Sequence, residues 1–93
     1  MPRSRKSRYA SDYQALLKLL GEAREKAGIT QIELAKRTQT SQSMLSKLER
    51  GVVRMDITDL LDYLRGIEAD PVKFFAAFVQ EVGWKRATKG TSR

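Results

Sequence analysis

The sequence contains no cysteine and no histidine. Lack of cysteine excludes a disulfide framework and a thiolate metal site, and suits a reducing cytoplasm. Lack of histidine as well removes the commonest general base and metal ligand, and with cysteine goes the most easily activated nucleophile. The eleven acidic residues form no obvious pair flanking a pocket, and no phosphate-cradling glycine loop occurs. We therefore expect no enzyme, no metal and no cofactor. The longest apolar run, "FFAAFV" at 74–79, falls far short of the ~20 residues that cross a bilayer. The basic N-terminus "MPRSRKSRYA" has no apolar region behind it, so it does not read as a secretory signal.

What is present is charge, unevenly placed. The 93 residues carry a net charge of +7. Arg3, Arg5, Lys6 and Arg8 at one end, and Lys85, Arg86, Lys89 and Arg93 at the other, are unopposed by any acid. Residues 24–54 hold seven basic and three acidic side chains, whereas 55–84 hold two basic and six acidic ones. One half of the folded part is thus basic and the other acidic, which favours a polyanionic partner without identifying it.

Hydrophobic residues make up 41% of the chain, enough for the core of one small domain. Their spacing is helical throughout, with no alternating β pattern and no internal repeat. Tyr13, Leu16, Leu17, Leu20 and Ala27 mark a first helix from Asp12, with Ser11 as its N-cap and Gly28 as its stop. Thr30 caps a second helix that runs to about Arg37, with Glu33 completing a capping box and Ile29 and Leu34 a hydrophobic staple. Ser41 caps a third, ended by Gly51; Asp56 caps a fourth, with Ile57, Leu60, Leu61, Leu64 and Ile67 on one side. Asp70 and Pro71 open a fifth, over 71–82. The reading is all-α: a basic disordered arm at 1–11, a five-helix domain at 12–83, and a basic tail at 84–93.

Between the second and third helices lies "TQTSQS", six residues bearing only hydroxyl or amide groups. Thr38 to Thr40 form a tight connection, and Ser41 to Ser43 the cap and first turn of the third helix. At about 100° per residue, Leu45 and Leu48 of that helix point to the core. Ser43, Ser46, Lys47 and Arg50 then face away, with Gln42 at the exposed end. That face presents amide, hydroxyl and cationic groups and no acid, the groups that hydrogen-bond base edges and phosphates in a major groove about 12 Å wide.

"TQIELAKRTQTSQSMLSKLERG", 30–51, resembles the helix-turn-helix of the phage repressor and Cro (XRE-like) family of bacterial regulators. The flanking "LLKLLGEAREKAG" and "ITDLLDYLRGI" resemble that family's first and fourth helices, so the resemblance covers about 12–68. It implies a lambda-repressor-like fold with the motif at 30–50. It also implies base reading by Gln42, Ser43 and Lys47, with phosphate contact or positioning by Gln31, which braces Gln42, and by Arg50. Thr30, Ser41, Arg37 and Arg54 join the phosphate candidates by position. Arg24 and Glu49 match a structural ion pair, and Ala35 a small residue that lets helices two and three approach. Met44, on the rim of the apolar sector, reads as packing. The family's usual turn glycine is replaced by Gln39, where a left-handed backbone costs about 1 kcal/mol and leaves room for a reshaped turn.

The fifth helix is more apolar than packing on its own domain requires, so Phe74, Phe75, Phe78, Val79 and Val82 are candidates for a dimer interface. The expected function is sequence-specific binding of double-stranded DNA as a homodimeric, cytoplasmic and nucleoid-associated transcriptional regulator. A repressor on a palindromic operator, with no membrane association, is the form expected. The alternative is an antitoxin or other interaction module that binds a protein partner through the fifth helix. The basic arm could follow the DNA backbone, enter the minor groove or only aid solubility.

Overall fold

The computed structural model describes the backbone of residues 3–84 and the side chains of 11–84, and the described residues form five α-helices. They are α1 (Arg3–Lys26), α2 (Gln31–Arg37), α3 (Gln42–Arg50), α4 (Ile57–Gly66) and α5 (Pro71–Glu81). No strand occurs among the described residues, and none of their helices is long and apolar enough to cross a membrane. The tail at 85–93 lies outside the described residues.

Four caps are set by single side chains. The Thr30 hydroxyl accepts from the Glu33 amide, Ser41 from Met44, Asp56 from Asp59, and Asp70 from Val72 and Lys73. Each satisfies N–H groups that the first turn leaves without a helical partner. The reciprocal half of the expected Thr30–Glu33 box is replaced, because Glu33 turns instead to Arg37 one turn along, at 3.2 Å. The complete capping box lies on α4, where Asp59 also accepts from the Asp56 amide.

The start of α1 corrects the sequence reading. The helix continues back from Asp12 to Arg3, so the arm expected to be disordered is helical from Arg3 onward and Ser11 is no cap. The physical reason lies in composition: residues 3–11 contain neither glycine nor proline, and arginine, lysine and alanine favour helix. A serine in such a stretch is a cap only if something stops the helix there.

Leu17, Leu20, Leu34, Ala35, Leu45, Met55, Tyr63, Leu64 and Ile67 form the core, drawn from α1 to α4 and their connections. Ile29, Leu48, Leu60 and Phe74 pack around it half-buried. Two assignments to the apolar side are corrected: Ala27 is exposed past the end of α1, and Ile57, in the first turn of α4, is 66% exposed. Gly66 marks the tightest approach. A methyl group there would run into Leu34 Cδ1, and Arg37 Nη1 donates to its carbonyl at 2.7 Å. The end of α4 therefore sits directly on α2.

All five helices end in the same way. A left-handed residue follows the last turn, and the two amides there bond back across it, closing carbonyls that the helix leaves open. Glycine supplies this conformation at Gly28, Gly51 and Gly83, whereas Gln39 and Glu68 adopt it as ordinary residues, both at φ 59°. After α2, Thr40 N–H bonds to Ala35 O at 2.9 Å and Gln39 N–H to Lys36 O at 3.2 Å. The turn keeps its left-handed shape and carries the strain at Gln39, rather than being rebuilt around it. Gln39 is exposed, so its replacement by glycine removes no packing. Gln39→Gly should raise stability by about 0.5–1 kcal/mol, the left-handed penalty less the extra freedom of unfolded glycine. Thermal unfolding would register this as a rise in Tm of a few degrees.

Candidate nucleic-acid interface

The exposed face of α3 carries Gln42, Ser43, Lys47 and Arg50, and no carboxylate. Leu45 is 2% exposed and holds the opposite side of the helix in the core, with Leu48 half-buried beside it. Ser46 lies half-buried and accepts from Arg50 Nε at 3.2 Å, so it is engaged within its own helix. Met44 is 38% exposed. Lys47 forms no ion pair among the described residues.

The one acid of α3, Glu49, lies behind that face. Its side chain is 11% exposed, and three other helices, α1, α2 and α4, converge on it. From α1, Arg24 donates through Nε to Oε2 at 2.8 Å and through Nη2 to Oε1 at 3.2 Å. From α2, Gln31 Nε2 donates to Oε1 at 2.9 Å, and from α4 the Tyr63 hydroxyl donates to Oε2 at 2.5 Å. Arg24 Nη1 also bonds to the Ile29 carbonyl at 2.9 Å, tying the α1–α2 connection to the same point. Burial pushes the Glu49 carboxyl upward, but hydrogen bonds from Arg24, Tyr63 and Gln31, with the Arg24 charge, hold it below the usual carboxylate range. The hydrogen bond to Glu49 likewise raises Arg24. Burial, followed by the neighbouring Glu49, raises Tyr63 far above an ordinary phenol. The tyrosine therefore remains a donor.

This carboxylate sets the direction of a longer chain. A carboxylate only accepts, so Gln31 must turn its NH2 to Glu49 and its carbonyl outward. That carbonyl accepts from Gln42 Nε2 at 3.2 Å. Gln42 is thereby left with its carbonyl oxygen and a second N–H to offer, one acceptor and one donor from one planar group.

The other candidates surround this helix. Thr30 and Ser41 accept from backbone amides as caps, and each keeps its hydroxyl proton to donate. Arg54, in the loop after α3, lies 4.5 Å over the Tyr13 ring, and the Tyr13 hydroxyl accepts from Met55 N–H at 2.8 Å. Arg37 is drawn to Glu33, the Gly66 carbonyl and Glu68, away from α3. The sequence reading missed Tyr63 and Tyr13. A tyrosine at a core position of an apolar helix carries no signal of where its hydroxyl goes.

A family model described as helix-turn-helix matches residues 20–73. The chain belongs to the XRE-like helix-turn-helix family. Its structure is similar to that of an XRE-family-like protein from Pseudomonas syringae pv. tomato str. DC3000, with TM-score 0.80 and 42% identity over 84% of this chain and 95% of that one. The wild-type restriction-modification controller protein C.Esp1396I shares the fold, with TM-score 0.71 and 24% identity over 76% and 93% of the two chains. The tetramer of that controller in complex with its natural 35 base-pair operator gives TM-score 0.70 at the same identity. No curated protein matches the sequence. The helix-turn-helix is α2 and α3 in a lambda-repressor-like all-α fold, and the protein is a DNA-binding transcription regulator.

The depressed Glu49 carboxyl gives this helix-turn-helix an acid dependence of definite sign. Its folded pKa lies below the unfolded value of about 4.3, so its contribution is complete above that value and lost as pH falls through the folded one. Glu49→Gln should lower stability at pH 7 by on the order of 3 kcal/mol, since it leaves Arg24 without its partner. It should also flatten the fall in stability below about pH 5. Some slope will remain from Asp56, which hydrogen bonds from the Asp59 amide and Thr58 hold low. Urea unfolding of both proteins from pH 7 downward checks both effects.

Proposed function

We propose that the protein is a repressor that binds a palindromic operator as a homodimer, with α3 in the major groove. In this reading Gln42, Ser43 and Lys47 contact bases. Thr30, Gln31, Ser41, Arg50 and Arg54 meet or position against phosphates. The observation that carries it is the acid-free face of α3 together with the hydrogen-bonded Gln42, whose remaining acceptor and donor match the N6–H and N7 of adenine. The operator-bound controller tetramer, which shares the fold, supports DNA as the partner class. The basic character of 24–54 supports the same side as the one turned to DNA, and the acidic 55–84 the opposite side.

The homodimer reading rests on α5. None of its residues is buried, although Val72, Phe75 and the following Trp84 are 77%, 54% and 62% exposed. Phe74 is the member turned to the core, which leaves Phe75, with Phe78 at 6.0 Å between ring centres, as the centre of the free face. Val79 and Val82 are half-buried beside it. Two-fold helix-turn-helix dimers meet half-sites about 34 Å apart. The same face could instead receive a different protein partner, as an antitoxin does its toxin.

Selection of bound sites from random duplexes should return a palindrome with half-sites one helical turn apart. A Gln42→Ala, Lys47→Ala double mutant should lose about 1–3 kcal/mol of discrimination per base contact while still binding DNA non-specifically. Unchanged site preference would show that α3 does not read the sequence. Light scattering should report a dimer for the wild type and a monomer for Phe75→Asp. A wild-type monomer would favour the partner-binding alternative.

A further inference from the structure

The hydrogen bonds around Glu49 reach beyond the helix-turn-helix motif to Tyr63, on α4 and outside residues 30–50. Tyr63 is 2% exposed, so it cannot itself touch DNA. Its hydroxyl has a choice of acceptors, Glu49 Oε2 at 2.5 Å and the Leu20 carbonyl at 3.2 Å. A hydroxyl has one proton, and the shorter bond to the charged acceptor takes it.

With that proton in place each carboxylate oxygen receives two donors. Oε2 is held by Tyr63 and Arg24, and Oε1 by Arg24 and Gln31. A carboxylate has about four acceptor positions, so this one is fully occupied and has no freedom to turn. Without the Tyr63 donor, one position on Oε2 falls empty in a nearly dry site. The carboxylate then gains by rotating toward its remaining partners, and Oε1 moves relative to Gln31. Gln31 is the link that turns a carbonyl toward Gln42.

Building on the reading of α3 as the base-reading helix, we propose that Tyr63 is a positioning residue for base recognition. Acting through Glu49 and Gln31, it fixes the orientation in which Gln42 presents its amide. Specificity then depends on a hydroxyl buried in the core, out of reach of DNA.

The test is Tyr63→Phe in the full chain, which removes one oxygen and keeps the ring. Binding is measured on duplexes varied at each base pair of the selected site, at several salt concentrations. The base pair read by Gln42 is the one whose preference disappears in Gln42→Ala. At that pair Tyr63→Phe should lower discrimination roughly 3- to 10-fold, part of what a full bidentate contact supplies. Preference at the pairs affected by Lys47→Ala should not change, nor should the slope of affinity against salt, which counts phosphate contacts. In a Gln42→Ala background Tyr63→Phe should have no further effect on discrimination.

A lower Tm with every base preference intact would make Tyr63 merely structural and overturn the proposal. So would equal weakening on all duplexes, or an undiminished effect in the Gln42→Ala background. If Tyr63→Phe is too unstable to assay, the comparison is repeated in a Gln39→Gly background, which offsets part of the loss. If Gln42→Ala alone changes no preference, the reading of α3 fails and this proposal with it. If Gln42→Ala changes preference and Tyr63→Phe does not, only the role of Tyr63 is lost.

Discussion

The carboxylate of Glu49 is the point on which the arrangement of the helices depends. An isolated carboxylate in a nearly dry site is costly, and replacing its partners with apolar groups would leave a buried charge. Here the cost is offset by four donor contacts from three neighbouring helices, and each contact orients its own helix relative to α3. The geometry is demanding because it is charged: a displaced helix would lose a hydrogen bond to an ion rather than a little apolar contact. Leu34, Leu45 and Leu64 supply the core through non-directional apolar contact. The ionic centre adds directional contacts that apolar packing lacks.

Packing has to be specified because the helices are short. α2 has seven residues and α3 nine, lengths at which isolated helices barely form in water. Their persistence depends on caps at the start, left-handed closures at the end, and the core between. Gly66 shows how close that packing is, since even a methyl group would meet Leu34. Gln39 and Glu68 show the opposite tolerance, because there the closure is kept in spite of a side chain that disfavours it. A turn that holds α2 and α3 at a fixed angle has no cheaper shape to adopt.

Much of this was legible in the sequence, and what was not shares a cause. Thr30, Ser41, Asp56 and Asp70 announce helix starts because a cap is a local event between residues two or three apart. Gly28 and Gly51 announce ends for the same reason. The apolar spacing of Leu17, Leu20, Leu45 and Leu64 gave the core, and the polar run 38–43 the turn and the first residues of α3. The start of α1 was misplaced because Ser11 has the chemistry of a cap, while continuation to Arg3 depends only on nothing intervening. Glu68 gave no hint of its left-handed backbone, and Gly66 none of its contact with Leu34, because both follow from how α4 meets its neighbours. Tyr63 to Glu49 spans fourteen positions and Arg24 to Glu49 twenty-five. The Arg24–Glu49 match came from the resemblance alone, since spacing within one helix carries no information about such pairs.

On the proposed reading, the face of α3 divides two kinds of work that DNA binding requires. Gln42 is held at one end of a chain of hydrogen bonds anchored in the core, so its amide is oriented before any ligand arrives. A neutral group fixed in this way adds little to non-specific attraction and loses heavily on a mismatched base, because an oriented donor and acceptor would be left unpaired. Lys47 and Arg50 are of the other kind: exposed cations, Arg50 also donating to Ser46, whose attraction to phosphate is weakened by salt. Were Gln42 as free as Lys47, it could turn to suit more than one base and would discriminate less. Were Lys47 as constrained as Gln42, ordering it would no longer be deferred until binding, and encounter with non-specific DNA would gain nothing. On the proposed reading of α3, the fixed amide at its start would select by geometry, while the exposed cations further along would add attraction to phosphate.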